Sequence, residues 1–92
     1  MRATAEIQVI PIGAGVSVRT QVKRAHELIA DSGLKVALHA FGTNVEGELG
    51  DVLAAIQRVH ETLHAEGVVR LSTAIKIGTR TDKDASLEGK LF

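Results

Sequence analysis

Apolar and polar residues alternate along the first segment of the chain. Within residues 4–12, Ile7 and Val9 fall on one side of the alternation, and Glu6 and Gln8 fall on the other. Successive side chains of a strand point to opposite faces of a sheet, so this period of two predicts a β-strand.

The next apolar positions recur three or four residues apart, which predicts an amphipathic helix. They are Val18, Val22, Ala25, Leu28 and Ile29. Ser17 is the expected N-cap, and Gly33 is expected to end the helix. The glycine-rich junction before Ser17 lacks the lysine of a phosphate-binding P-loop, so a tight turn is favoured there over a phosphate site.

Two strands, a second helix and a last strand follow. Residues 35–41 and 43–48, separated by Gly42, predict a hairpin. Residues 68–77 alternate again and predict the last strand, before a polar tail over residues 82–92. The second helix has an apolar stripe formed by Leu49, Val52, Leu53, Ile56, Val59 and Leu63.

This order of elements predicts one domain, residues 1–92, of the α+β class. Right-handed crossovers place both helices on one face, which gives a ferredoxin-like βαββαβ sandwich with an antiparallel four-stranded sheet. The other face mixes apolar and polar residues, so we expect a second subunit to cover it. Its predicted members are Glu6, Gln8, Ile10, Ile12, Ala37, His39, Asn44, Glu46, Arg70, Ser72, Ala74 and Lys76.

The composition limits which classes of molecule this protein is expected to bind. The net charge is zero, and the only aromatic residues are Phe41 and Phe92. Neither nucleic acid nor a membrane surface is expected as a partner, because both favour a basic surface and single strands favour stacked aromatics. The chain has no cysteine and no long apolar run, so we expect no disulfide, no membrane span and a cytoplasmic protein.

Residues 60–64 spell HExxH, the pattern in which two histidines of a helix bind zinc and the glutamate acts as a base. A catalytic zinc needs a third protein ligand, and no histidine follows His64. We therefore predict no metal site, no cofactor and no catalytic residue. A zinc hydrolase using His60 and His64 stays as a weaker alternative.

The segment from Gly42 to Glu48 is the strongest candidate site. Asn, Glu and Gly form strands poorly, yet the flanking pattern demands a strand, and such conflicts often mark functional residues. Thr43, Asn44 and Glu46 offer a hydroxyl, an amide and a carboxylate within four residues. The alternative is a solvated edge strand with a bulge at Gly47. The residues by themselves leave both interpretations open.

Several segments together resemble the thiamine-binding protein family. They are Ile7 to Gly13, Ser32 to Lys35, Gly42 to Glu48, His60-Glu61, Gly67 to Arg70, and Ile75 to Ile77 with Arg80, Asp82 and Lys83. The resemblance covers nearly the whole chain. It implies a ferredoxin-like fold, a homotetramer arranged as a dimer of dimers, and binding of thiamine or its hydroxymethylpyrimidine half without catalysis.

The resemblance also implies roles for individual residues. Glu46 would accept a hydrogen bond from the exocyclic amine or offset the thiazolium charge, and Thr43 and Asn44 would bond the ring nitrogens. Phe41 would stack on a ring, and Ser17 and Gln8 complete the expected ligand set. The alternative function is an oligomeric structural or regulatory module whose open sheet face docks a partner protein.

Overall fold

The computed structural model describes residues 1–13 and 18–91. Its elements follow the predicted order, and the last strand extends two residues beyond the predicted end. The elements are β1 (Arg2–Ile12), α1 (Arg19–Ala30), β2 (Lys35–His39), β3 (Gly42–Glu48), α2 (Leu49–Ala65) and β4 (Arg70–Thr79), followed by a 3-10 turn at Glu88–Lys90. Neither of these helices is long and apolar enough to cross a membrane. The N-cap predicted at Ser17 lies outside the described residues.

All strand pairs of the sheet are antiparallel, and the strand order is β2-β3-β1-β4. In the centre of the sheet, Ala5 of β1 lies opposite Val45 of β3 and Ile77 of β4. Both helices pack against the same side of this sheet. The predicted ferredoxin-like α+β fold is therefore confirmed.

The hydrophobic core lies between the sheet and the two helices. Its largest fully buried apolar side chains are Ile7, Ile29, Val45, Val52, Val59 and Leu63. Each such side chain contributes about 1.5–3 kcal/mol by leaving water. The odd residues of β1 and β3 face this core, so the even residues face the open side of the sheet.

Some residues of the predicted apolar stripes are not in this core. Leu53 is 50% exposed, and Ile75 and Ile77 are 42% and 39% exposed. The reason is the position of α2, which packs over β1 and β3 and leaves the helix side of the edge strand β4 partly uncovered. The periodicity correctly predicted which face of each element points toward the helix side of the sheet. It could not predict how much of that face the neighbouring elements cover.

The bulge considered at Gly47 is absent from the described strands. Gly47 lies in register opposite Ala3, and pairing is continuous on both sides of it. A Cβ at Gly47 would overlap Leu34 Cδ2, so the Leu34 side chain occupies the space that the glycine leaves. Gly47 thus serves packing on the core side.

A bidentate ion pair ties α1 to the end of α2. Arg24 Nη2 lies 2.9 Å from Glu66 Oε2, and Arg24 Nε lies 3.1 Å from Oε1. The hydrogen bond from Arg24 holds the pKa of the Glu66 carboxyl below its ordinary value. Both groups are exposed, so solvent and salt screen the pair.

We expect this pair to contribute to acid sensitivity. Because the Glu66 pKa is lower in the folded state, the unfolded chain binds the proton more readily than the folded protein does. The contribution of the pair to stability is therefore present above pH 4.5 and is lost as the pH falls through the folded-state pKa. Chemical denaturation of wild type and Glu66→Gln at several pH values measures this. The variant should lose less stability below pH 4.5 than wild type does. If the free energy of unfolding fell equally with pH in both proteins below pH 4.5, this role of the Arg24–Glu66 pair would be contradicted.

Candidate ligand-binding sites

A slot opens at one end of the sheet, between β1, one face of α1 and the tip of the β2–β3 hairpin. We call it the edge slot. Its volume is about 380 Å³, which falls in the range of small-molecule sites. Its lining consists of Ile7, Gln8, Val9, Ile10, Val18, Val22, Ala25, His26, Ile29, Leu38, His39, Ala40, Phe41, Gly42 and Thr43.

The edge slot exists because β3 is shorter than β1. Pairing between β1 and β3 stops at Ile7 and Thr43, whereas pairing between β1 and β4 continues to Ile12. The last residues of β1 therefore have no described strand beside them on the β3 side. α1 covers this gap from above, and the hairpin tip bounds it from the side.

Backbone groups of β1 face the edge slot. The Ile7 carbonyl oxygen would lie 2.5 Å from a Cβ on Gly42, so the backbone groups of the odd β1 residues point toward β3. Val9 thus directs its backbone N–H and C=O to the side of β1 where the pairing with β3 has already stopped. Pro11 has no N–H to leave unpaired there, which explains how a proline fits this strand.

The rim of the edge slot is apolar and unusually exposed. Phe41 is 75% exposed and Leu38 is 65% exposed. Val22 of α1, also partly exposed, lies on the opposite side of the opening. Clustered exposed apolar side chains around one concavity are typical of a binding site.

A hydrogen bond between a strand and a helix forms the polar base of the edge slot. Thr43 is 4% exposed, and its Oγ1 lies 3.1 Å from His26 Nδ1. The imidazole tautomer decides which atom donates. Together the two side chains offer a donor and an acceptor in an apolar setting, as recognition of a nitrogen heterocycle requires.

The hairpin tip that carries Phe41 is held by His39. The Phe41 backbone N–H donates to His39 Nδ1 at 3.2 Å, so a neutral imidazole carries its proton on Nε2. His39 Nε2 lies 3.4 Å from Glu6 Oε2 on the open side of the sheet. These contacts fix the turn that places the aromatic ring at the rim.

The structure does not bring all the predicted ligand residues to one place. Phe41 and Thr43 line the edge slot, whereas Asn44 and Glu46 face the opposite side of the sheet. Gln8 also borders the slot, but as an even residue of β1 it directs its side chain to that opposite side. Ser17 lies outside the described residues, and each residue's role in binding a ligand stays a prediction.

The sequence analysis missed His26. Its signal is present in the sequence, since His26 lies four residues after Val22 and therefore on the same helical stripe. A polar residue on an otherwise apolar stripe needs a partner when it is buried, and Thr43 provides it. Only the strand register shows that Thr43 is within reach.

Glu46 holds the C-terminal tail on the open face. Its Oε1 accepts a hydrogen bond of 2.7 Å from the Leu87 backbone N–H, and its Oε2 lies 3.5 Å from Arg2 Nη2. Lys35 pairs with Glu88 at 3.1 Å. The tail thereby forms one wall of a second concavity of about 490 Å³, which we call the tail groove. It is lined by Thr4, Ala5, Glu6, Lys35, Ala37, Asn44, Lys76, Ile77, Gly78, Leu87, Glu88, Lys90 and Leu91.

The HExxH histidines have partners within the protein. His60 Nε2 lies 2.7 Å from Thr73 Oγ1, and His64 Nδ1 donates to the Val68 carbonyl oxygen at 2.7 Å. The second contact secures the chain where it leaves α2. Among the described residues, no group of three His, Cys, Asp or Glu side chains is arranged to hold a metal ion.

The geometry defines a ferredoxin-like α+β domain with a mostly apolar slot of small-molecule size. The sequence profile of the thiamine-binding protein family matches residues 5–92, and the chain belongs to that family. Its relatives include the UPF0045 protein sll0230 of Synechocystis, which is 38% identical over 99% of this chain and 75% of its own length.

Solved structures show the same fold. The crystal structure of MJ1052 from Methanocaldococcus jannaschii has a TM-score of 0.88 at 38% identity, covering 97% of this chain and 91% of that one. A Thermotoga maritima protein suggested to act in thiamine biosynthesis or salvage has a TM-score of 0.86 at 22% identity, covering 99% and 96%. At that identity the second likeness concerns the fold alone.

Proposed function

We propose that this protein binds thiamine or its hydroxymethylpyrimidine half in the edge slot, for carriage, buffering or sensing. The observation that carries the proposal is the slot itself, in which an apolar rim surrounds the Thr43–His26 hydrogen bond. An aminopyrimidine is flat, apolar on its faces and has donors and acceptors on its edge. The slot offers the complementary surfaces, and family membership agrees with this ligand class.

Each part of the ligand has a partner in this proposal. The pyrimidine edge reaches Thr43, His26 and the backbone groups of Val9 on the side of β1 that no described strand covers. The Phe41 ring stacks on a ring face, and its π-system also attracts the cationic thiazolium. Asn44 and Glu46 face the other side of the sheet, so in this arrangement they are not direct contacts.

The proposal also covers assembly, location and chemistry. We propose a homotetramer, supported by the partly exposed Ile75 and Ile77 on the edge strand β4 and by the exposed apolar rim of the edge slot. We propose a cytoplasmic protein that binds without catalysis.

Calorimetric titration with thiamine and with hydroxymethylpyrimidine tests the function. We expect Thr43→Val to weaken binding about 10-fold or more, because the half-buried His26 and the ligand both lose a hydrogen-bond partner. Phe41→Ala should weaken binding to a similar degree.

The matched control is Thr73→Val. Thr73 bonds His60 from the same side of the sheet, as Thr43 bonds His26, but it does not line the edge slot. This variant should bind as wild type does. Wild type that takes up neither compound would refute the function. Loss of binding in Glu46→Ala with full binding in Thr43→Val would place the ligand on the open face instead.

A further inference from the structure

The buried hydroxyl of Thr4 has no hydrogen-bond partner among the described residues. Thr4 is 2% exposed, and its Oγ1 is sealed from solvent. Buried hydroxyls are almost always paired, because an unpaired one loses its bonds to water without replacement. Thr4 lies on the open side of the sheet, in the lining of the tail groove.

A cradle lies directly beside this hydroxyl. Thr4 is opposite Gly78 in the strand register, and Gly78 has no side chain to fill the space above it. A Cβ at Gly78 would lie 3.4 Å from Thr4 Oγ1 and also 3.4 Å from Lys90 Nζ. One point in the groove is therefore flanked by a hydroxyl donor and an ammonium donor.

The charges around the cradle favour an anion. Among the described ion pairs, none includes Lys76 or Lys90, whereas Lys35 is paired with Glu88. Lys76 is two residues before Gly78 on the same face of β4, about 7 Å away along the strand. The remaining carboxylate of the groove, Glu6, lies 3.4 Å from His39 Nε2 and opposite Lys76 in the strand register. The lining as a whole has three lysines against two glutamates.

We propose that the tail groove binds the phosphate of a small phosphate monoester. One phosphate oxygen lies above Gly78, in the space that a side chain there would occupy, and accepts from Thr4 Oγ1 and Lys90 Nζ. Lys76 offsets the second negative charge of the phosphate dianion. A carboxylate ligand has a single negative charge and would not need this second lysine. The flexible Lys90 side chain moves aside to admit the phosphate and then closes on it.

The rest of the groove accommodates the organic part of the ligand. Ala37 and Asn44 form its floor on β2 and β3, and Leu87 and Leu91 of the tail line its wall. The volume of about 490 Å³ is larger than inorganic phosphate needs. This site is on the opposite face from the edge slot and does not depend on the proposed function.

Calorimetry with inorganic phosphate, phenyl phosphate and benzoate tests the proposal. Phenyl phosphate should bind at least about 10-fold more tightly than either of the other two, because only it has both the dianion and an organic part. Thr4→Val and Lys90→Gln should each weaken phenyl phosphate binding about 10-fold. Thr4→Val keeps the shape of the side chain, and thermal melting of each variant verifies that it is folded.

Lys83→Gln is the matched charge control, since Lys83 is an exposed tail lysine that does not line the groove. It should leave binding within about twofold of wild type. Equal losses in Lys83→Gln and Lys90→Gln would show unspecific charge attraction and overturn the site. Unchanged binding in Thr4→Val, or benzoate as tight as phenyl phosphate, would do the same.

Discussion

Replacing Leu63 by alanine is expected to lower the free energy of unfolding by about 2–5 kcal/mol. Leu63 is 1% exposed and lies in the core between α2 and the sheet. Its truncation loses the transfer free energy of the removed methyl groups and leaves a cavity that the rigid sheet cannot fill. Because small domains are stable by about 5–15 kcal/mol, this is a large share of the total.

Leu53 provides the comparison for Leu63. The sequence places both on one apolar stripe of α2, but Leu53 is 50% exposed. Urea denaturation of Leu53→Ala should show a loss of about 0.5 kcal/mol or less for the isolated chain. A loss at Leu53 that grows with protein concentration would indicate that a neighbouring subunit covers it. Equal, concentration-independent losses at the two positions would contradict the packing described for α2.

Gly42→Ala is expected to cost about 1–3 kcal/mol. The new Cβ would lie 2.5 Å from the Ile7 carbonyl oxygen and 3.2 Å from its carbonyl carbon. These are backbone atoms of the central strand, so the hairpin tip itself has to move. We expect the same change to weaken ligand binding in the edge slot, since it displaces Phe41 and Thr43 together.

Gly50→Ala is the matched substitution. No atom lies within 4 Å of a Cβ at Gly50, and the residue is in the first turn of α2, where alanine favours the helix by up to about 1 kcal/mol. Denaturant titration should therefore show a lower free energy of unfolding for Gly42→Ala and a higher one for Gly50→Ala. A neutral Gly42→Ala with unchanged ligand binding would mean that the hairpin does not approach β1 as closely as described.

Much of the fold could be predicted because the apolar period differs clearly between strands and helices. The alternation of Ile7 and Val9 with Glu6 and Gln8 sets both the strand and its core face. The boundaries were less certain at β4, which begins at Arg70 and ends at Thr79. Its continuation as far as Gly78 depends on pairing with Thr4, a residue 74 positions earlier in the chain.

The candidate site was predicted only in part. The segment from Gly42 to Glu48 was singled out from the sequence as unusual for a strand, and the structure shows that its residues serve two faces. Thr43 belongs to the edge slot, and Glu46 holds the tail through Leu87. His26 and the Gly78 cradle were not found, because their partners are distant in sequence and close only after the strands have paired.

The sequence by itself determined which residues alternate, which helical stripes are apolar and therefore which fold class the chain adopts. These are local properties, since they follow from side-chain polarity and the repeat of each backbone conformation. Only the tertiary structure decided that the pairing of β1 with β3 stops five residues before its pairing with β4 does, that Thr43 meets His26, and that Thr4 and Lys90 both flank Gly78. The physical reason is that strand register and the reach of a helix over a sheet are set by the packing of all elements together.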